Sequence, residues 1–302
     1  MRFLFHYPEV NGTSVDMLDP GDVAEVAKAA EAAGFGGFSF TEHPAPGARW
    51  LDSGGHQSLD PFVALAYVAG VTSRIRLLTY LSPAPYRNPL LLAKAAATVD
   101  RLSAGRFILG IGTGYLAGEF RALGVDIEER NRLFDEALDV LPMHWSGEPF
   151  SYKGLHFEAK NVIARPTPVQ NPIPIWIGGN SKLARDRVAR RADGWMPMLL
   201  PPEVHQTVRS PALDGLAGVV KLAAQIRAEA AARGASIDLV YPYQDSSALV
   251  GPDAEASRHK DAFAELEDAG VTWVMLSARG TSSAEQTLAF LASFGELYPS
   301  AS

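Results

Sequence analysis

The chain has 302 residues, of which 47% are hydrophobic and 20% are charged, with a formal net charge of −7 and no cysteine. This composition is typical of a globular protein with a substantial core, and it argues against a nucleic-acid partner, because no Lys/Arg cluster accompanies the acidic balance. The absence of cysteine excludes disulfides, thiolate metal sites and cysteine nucleophiles. No basic segment precedes an apolar one at the N-terminus, and no run of about 18 apolar residues occurs, so we expect a cytoplasmic protein without a membrane span.

Strand-like and helix-like segments alternate along the chain. Runs rich in β-branched and aromatic residues predict eight strands, at residues 3–6, 37–41, 75–80, 107–111, 173–177, 194–196, 238–241 and 272–276. Apolar periodicity predicts a helix after each strand or in the segment that follows it, at residues 20–33, 61–71, 89–102, 128–144, 182–192, 215–232, 256–268 and 284–297.

Eight such β units predict one α/β domain over residues 1–302, a single (β/α)8 TIM barrel. The alternative is a doubly wound open sheet, which usually carries a dinucleotide fingerprint after its first strand, and this chain has none there. Capping residues precede a proline at residues 19–20, 60–61 and 88–89, as expected at helix starts. The irregular region 148–172 predicts a hairpin insertion between strands four and five.

A glycine turn follows the fourth predicted strand, where Gly110, Gly112 and Gly114 alternate with other residues before a helix. Glycine lets the backbone approach a ligand closely, and a strand that leads through such a turn into a helix commonly holds a planar cofactor or a phosphate. Glycines after strands also occur in ordinary loops. A second turn, Gly178 to Ser181, predicts a phosphate site at a helix N-terminus, with a plain capped turn as the alternative.

The best acid–base candidates are Glu42 and His43, directly after the second predicted strand. An imidazole titrates near neutral pH, and the adjacent carboxylate is predicted to set its tautomer. The alternative is that Glu42 caps the next segment and His43 is a packed side chain. Glu119 follows Tyr115 by four positions, and a solvated helix face explains this spacing as well as a site role does. The histidines show no metal-ligand spacing, so no metal site is predicted.

Several segments resemble the luciferase-like monooxygenase family, the bacterial luciferase superfamily of flavin- and deazaflavin-dependent barrels. They include FSFTEH at 38–43, RIRLLT at 74–79, the NP-LLAK-ATVD-LS-GR-LGIG-G-EF pattern within 86–125, and the segments 129–141 and 172–195. The resemblance covers most of residues 38–195 and is greatest to the branch that uses coenzyme F420.

This resemblance implies an F420-dependent oxidoreductase that transfers a hydride between the deazaflavin and a small organic substrate. An FMN-dependent two-component monooxygenase, supplied with reduced cofactor by a separate reductase, is the alternative. A flavin-binding barrel without turnover is a third interpretation. The resemblance also implies a homodimer.

The resemblance further implies which residues form the site. Glu42 and His43 match an acidic residue and a histidine beside the cofactor ring, and a non-prolyl cis peptide is expected at Thr79–Tyr80. Tyr115 replaces a catalytic glutamate of some deazaflavin dehydrogenases. The predicted catalytic residues are therefore His43, Glu42 and Tyr115. The predicted cofactor-binding residues are Thr79, Tyr80, Ser82, Gly112, Thr113, Gly114, Gly178, Gly179, Asn180, Ser181 and Arg279. The basic candidates for binding the oligoglutamate tail of F420 are Arg87, Lys182 and Arg279.

Overall fold

The computed structural model describes residues 1–11, 16–200, 210–246, 249, 255–278 and 283–298, and within them eight parallel strands close into a barrel. In chain order the strands are β1 (Arg2–His6), β2 (Val10–Asn11), β3 (Gly37–Phe40), β4 (His56–Gln57), β5 (Arg76–Thr79), β6 (Ser82–Pro83), β7 (Phe107–Gly112), β8 (Phe150–Lys153), β9 (Glu158–Val162), β10 (Ile175–Gly178), β11 (Gly194–Met196), β12 (Asp238–Pro242) and β13 (Trp273–Ser277). The barrel runs β1, β3, β5, β7, β10, β11, β12, β13 and returns to β1. The predicted TIM barrel is confirmed.

Helices follow the barrel strands, and the longer ones cover the outer face of the barrel. Their bounds are Val23–Ala32, Ala48–Asp52, Pro61–Val71, Pro89–Leu102, Ala117–Ala122, Arg130–Ser146, Lys182–Arg191, Gly215–Ala230, Ala256–Asp268 and Ala284–Leu297. None of the helices in the described part of the chain has the length and apolar character that crossing a bilayer requires.

Two of the three predicted proline caps are present. Asp60 accepts from two N–H groups of the Pro61–Val71 helix, and Asn88 accepts from Leu90 N–H. The first was wrong, because Asp22 rather than Asp19 caps the helix that begins at Val23. Residues 17–20 form a turn instead, so Pro20 lies three positions before Val23, the first residue of the helix.

Apolar side chains pack on both faces of the barrel wall. Side chains alternate along each strand, so one set packs against the helices while the other fills the barrel interior. The interior set consists of Leu4, Leu78, Ile108, Trp176, Met196, Val240, Trp273 and Met275. The barrel is therefore solid below its C-terminal ends, and residues that follow those ends face the mouth above this plug.

In the described part of the chain, two short antiparallel strand pairs lie outside the barrel. β8 and β9 pair between the Arg130–Ser146 helix and β10, with the Tyr152 and Phe157 rings stacked 5.8 Å apart. β2 pairs with β4, so the segments that follow β1 and β3 are joined beside the mouth.

Candidate active site

Polar side chains from the ends of β1, β3, β5 and β7 meet at the barrel mouth. Glu42 and His43 follow β3, and both are buried. They contact different neighbours, because consecutive residues after a strand direct their side chains to different sides. The prediction that Glu42 sets the tautomer of His43 was therefore wrong.

Glu42 belongs to an ion-paired network with the segment after β5. Its two carboxylate oxygens accept from the two terminal nitrogens of Arg87, one of them at 3.0 Å, and the Ser82 hydroxyl also donates to it. Arg87 in turn donates to Ser82 Oγ at 2.8 Å and lies over the Phe62 ring, 5.0 Å from its centroid. Arg87, a predicted tail-binding residue, is thus held by Glu42 in the structure.

Glu119 is the carboxylate that holds His43. Its Oε2 lies 3.2 Å from Nδ1 of His43 and accepts from the Tyr86 hydroxyl at 2.8 Å, while its Oε1 accepts from Ala45 N–H at 3.3 Å. Glu119 is 0% exposed, so the interpretation of a solvated helix face was wrong. An ionised carboxylate only accepts, which places the Nδ1 hydrogen on His43 and directs the Nε2 lone pair away from Glu119.

His43, Glu119, Tyr86 and Tyr115 form the acid–base corner of the mouth. In this corner the tyrosines stay protonated, and one imidazole nitrogen is available. Burial, followed by the Glu119 charge, raises the pKa of both Tyr86 and Tyr115, so both hydroxyls remain proton donors. Among the described residues, none forms a hydrogen bond with His43 Nε2 or with the Tyr115 hydroxyl. The His43 and Tyr115 rings lie 6.2 Å apart, and these two polar atoms are available to a ligand in the mouth.

An aromatic wall borders His43 on its other side. Trp50 lies 4.7 Å and His56 4.8 Å from the His43 ring, measured between centroids. Trp50 comes from the short Ala48–Asp52 helix, and His56 from β4, which pairs with β2. Sequence reasoning assigned no role to His56, because its partners are distant in the chain.

The floor of the mouth contains a non-prolyl cis peptide between Tyr80 and Leu81. The bond was expected one residue earlier, at Thr79–Tyr80; Thr79 is instead the last residue of β5. The Leu81 side chain fills the space beside two glycines, since a Cβ at Gly112 would lie 2.6 Å and one at Gly178 2.2 Å from it. Whether these glycines also contact a cofactor stays a prediction.

The other predicted cofactor residues fall into two groups. Thr79 and Asn180 are fully buried and bond within the protein: Thr79 Oγ to the Gly110 backbone at 2.7 Å, and Asn180 Nδ2 to Met198 O at 2.8 Å. Ser181 caps the Lys182–Arg191 helix. The half-buried residues of the rim are Tyr80, Thr113, Gly114 and Gly179, together with Tyr115, which was predicted to be catalytic.

Two basic residues of the sequence prediction lie elsewhere. Lys182 is exposed and forms a 2.7 Å ion pair with Asp186. Arg279 lies outside the described residues.

The family-model comparison identifies the class of protein that carries this site. The model of the luciferase-like monooxygenase family matches residues 1–292. The chain belongs to this family of oxidoreductases, so the resemblance read from the sequence is confirmed.

Relatives within the family differ in cofactor. An uncharacterized protein of Mycobacterium tuberculosis is 33% identical over 189 residues, which are 60% of this chain and 67% of that protein. The FMNH2-dependent dimethylsulfone monooxygenase of Pseudomonas putida is 30% identical over 172 residues, 56% of this chain and 43% of that protein. The latter match thus spans less than half of the monooxygenase.

Among solved structures, an F420-dependent secondary alcohol dehydrogenase in complex with an F420-acetone adduct has a TM-score of 0.71 and 18% identity, and the match covers 99% of both chains. At this identity the likeness shows the fold. Both FMN and F420 therefore occur among the proteins that this chain resembles.

Proposed function

We propose that this protein is an F420-dependent oxidoreductase that transfers a hydride between the deazaflavin and a small organic substrate. The observation that carries the proposal is the His43–Glu119 pair at the end of β3. Glu119 holds the His43 ring through Nδ1 and leaves Nε2 available in the mouth. A positioned imidazole of this kind accepts or donates a proton while the substrate is oxidised or reduced.

The residues of the mouth fit a planar cofactor ring. Leu81 and Tyr80 present a half-buried surface on the floor, and the Tyr115 hydroxyl and His43 Nε2 supply polar contacts beside it. The half-buried turn at Gly179 has φ +110°, and a Cβ there would meet nothing closer than 3.6 Å, so this backbone is open to a ligand. When bound, the deazaflavin supplies the carbon that accepts or gives the hydride.

Each predicted catalytic residue has a defined part in this proposal. His43 Nε2 takes or gives the substrate proton, and the Tyr115 hydroxyl, kept protonated by burial and by Glu119, donates a hydrogen bond to a substrate oxygen. Glu42 acts as a positioning residue, because its carboxylate is occupied by Arg87 and Ser82.

The second candidate is an FMN-dependent monooxygenase that receives reduced FMN from a separate reductase. The observation that favours it is the 30% identity to the FMNH2-dependent dimethylsulfone monooxygenase. The floor and the polar rim of the mouth suit the ring of either cofactor, so the two candidates require an experiment.

The test is calorimetric titration of the purified protein with F420 and with FMN, followed by turnover assays with a panel of alcohols and carbonyl compounds. We expect F420 to bind at least tenfold more tightly than FMN and to be reduced or oxidised by a member of the panel. Tighter FMN binding, with oxygen consumption only when a flavin reductase is added, would establish the second candidate. F420 binding without turnover on any substrate would favour a binding protein.

We also propose that the protein is a homodimer that uses the Pro61–Val71 helix. Val63 and Tyr67 lie one turn apart on this helix and are 71% and 53% exposed, and Leu91 on the following helix is 65% exposed. Apolar residues grouped in this way are typical of an interface. Val63→Asp combined with Tyr67→Glu should convert a dimer to a monomer in light scattering, whereas Leu183→Asp, at an exposed leucine of another helix, should not. A wild-type monomer would contradict this proposal.

A further inference from the structure

The mouth holds a second histidine–carboxylate pair, formed by His6 and Glu9. His6 is the last residue of β1 and is 3% exposed. Its Nε2 lies 3.0 Å from Glu9 Oε1, and its ring lies 5.5 Å from the Tyr80 ring on the floor of the mouth. Leu4, two residues earlier, packs inside the barrel, so the alternation along β1 directs His6 to the same side.

Ser39 allows His6 to carry either one or two ring hydrogens. Its Oγ lies 2.9 Å from His6 Nδ1 and 3.4 Å from the carbonyl oxygen of Phe5, and a hydroxyl hydrogen rotates to suit its neighbours. With neutral His6, Ser39 donates to Nδ1 and the Nε2–H group donates to Glu9. With protonated His6, Nδ1–H donates to Ser39 and the hydroxyl turns to Phe5. Both protonation states are therefore hydrogen-bonded, although the ring is buried.

Glu9 connects this pair to solvent and to the acid–base corner. Its side chain is 28% exposed, and the Oε1 atom that contacts His6 also lies 3.4 Å from Nε2 of His56. The His56 ring is in edge contact with His43. Within the described part of the chain, the titratable groups whose contacts link them to His6 include Glu9, Tyr80 and, through Glu9, His56. One carboxylate is shared by two imidazoles that come from different loops.

The His43–Glu119 and His6–Glu9 pairs differ in the groups that face the two ring nitrogens of the histidine. His43 Nδ1 faces the carboxylate of Glu119, so its Nδ1 hydrogen stays in place and Nε2 is the atom that exchanges a proton. His6 faces a hydroxyl on one side and a carboxylate on the other, so the His6–Glu9 pair can gain one proton and pass from a net negative charge to neutrality.

We propose that His6 and Glu9 form a proton store for the active site, which exchanges one proton with solvent through Glu9 and with the mouth during turnover. This inference rests on the proposed function. A substrate that loses a hydride from the carbon of a C–OH group to the bound deazaflavin also loses its hydroxyl proton, and the reverse reaction takes one up. The His43 imidazole moves that proton at the substrate, and the store removes or replaces it.

The first test observes His6 directly, without cofactor. Histidine side chains are labelled with ¹⁵N, His6 is assigned by His6→Gln, and spectra are recorded over the pH range in which the protein stays folded. We expect His6 to gain a second ring proton in that range. In Glu9→Gln the midpoint should move to lower pH by about one unit, because the stabilising carboxylate is lost. Glu129→Gln is the matched control, because it alters the exposed His156–Glu129 pair outside the mouth and should leave the His6 signals unchanged.

Two results would overturn the proton store in this test. One is a His6 ring that stays neutral until the protein unfolds. The other is a protonation midpoint that is the same in Glu9→Gln as in the wild type. Failure of both F420 and FMN to bind would instead overturn the proposed function, and it would leave these spectra unaffected.

The second test uses a substrate identified in the panel. Glu9→Ala should lower turnover about tenfold or more in dilute buffer, and added formate or imidazole should restore it, because a small acid or base can replace the missing carboxylate near the surface. Glu129→Ala should show neither effect. Unchanged turnover in Glu9→Ala, or a loss that neither formate nor imidazole restores, would show that the pair has no part in proton exchange.

Discussion

The two buried carboxylates of the mouth, Glu42 and Glu119, have different kinds of partner. Glu42 is 3% exposed and accepts from Arg87, whose guanidinium keeps its charge at all ordinary pH values. Glu119 is 0% exposed and accepts from a tyrosine hydroxyl, a backbone N–H and the ring of His43. The first carboxylate is paired with a guanidinium, whereas the second holds an imidazole ring, which can both accept and donate a proton.

Proximity in sequence does not determine which side chains bond to these two carboxylates. Tyr86 and Arg87 are neighbours in sequence, yet Tyr86 serves Glu119 and Arg87 serves Glu42. Similarly, Glu42 and His43 are adjacent and belong to different networks. We expect changes in the Glu42–Arg87 network to affect chiefly stability, and changes in the Glu119–His43 network to affect chiefly turnover.

The largest expected effect is that of His43→Ala. Loss of positioned acid–base help should reduce turnover by about 10²–10⁴-fold. Cofactor affinity and melting temperature should change far less, because Glu119 keeps its bonds to the Tyr86 hydroxyl and to Ala45 N–H when the imidazole is removed. Turnover, calorimetric affinity and thermal unfolding are measured on the same variant. Parallel loss of all three would show that His43 is only a packed side chain.

Glu119→Gln should produce the next largest effect on turnover. The amide can present its NH2 group to His43 Nδ1 and favour the other tautomer, which would place a hydrogen on Nε2. We expect a loss of about 10²-fold, with a changed pH profile of kcat/KM. A variant with wild-type kcat and an unchanged profile would contradict the role of Glu119 in holding His43.

Glu42→Ala should affect stability instead. The Arg87 side chain is only 22% exposed. Removal of the Glu42 carboxylate therefore leaves its guanidinium without a buried counter-ion. We expect a loss of about 2–3 kcal/mol in the free energy of unfolding, measured by urea denaturation. The double variant Glu42→Ala/Arg87→Ala should be less destabilised than the sum of the single variants. Additive losses would indicate that the two side chains do not act as a pair.

The smallest expected effect concerns His144, a buried histidine outside the mouth. It is 4% exposed, and its Nδ1 has no hydrogen-bond partner among the described residues. Burial, and then Lys94, lowers its pKa from the ordinary value of 6.5. The unfolded chain therefore binds a proton near that pH that the folded chain does not, so stability is complete above pH 6.5 and falls as the pH decreases.

His144→Phe should remove this pH dependence. The wild-type free energy of unfolding should fall by about 1 kcal/mol more than that of the variant between about pH 6.5 and 5.5. Urea denaturation at both pH values measures the difference. His156→Gln, at an exposed histidine, should leave the wild-type pH dependence in place. Equal slopes for wild type and His144→Phe would show that His144 is protonated in the folded protein as readily as in the unfolded chain.

The barrel was predictable because its signals are local. Near-continuous apolar runs such as Phe107–Gly112 indicate strands buried on both faces, and caps such as Asp60 and Asn88 mark helix starts within a few residues. The start of the first helix was misplaced because Asp19 and Asp22 are both plausible caps three residues apart.

The site was only partly predictable, because its partners are distant in the chain. His43 and Glu119 are 76 residues apart, and a glutamate on the six-residue Ala117–Ala122 helix gives no local indication that it faces inward. The one usable signal was its position one turn after Tyr115, within a loop already assigned to the mouth. The strand-end rule identified His43 and Tyr115, but it could not show that Glu119 is the carboxylate that holds His43.

The position of Trp50 gives the protein a built-in optical reporter. All five tryptophans lie in the described part of the chain; Trp145, Trp176, Trp195 and Trp273 are almost completely buried, and Trp50 is half-buried beside His43. A small quencher such as acrylamide therefore reaches the emission of Trp50 before that of the other four. Any molecule that enters the mouth should shield that emission, so occupancy of the site can be followed without labelling the protein.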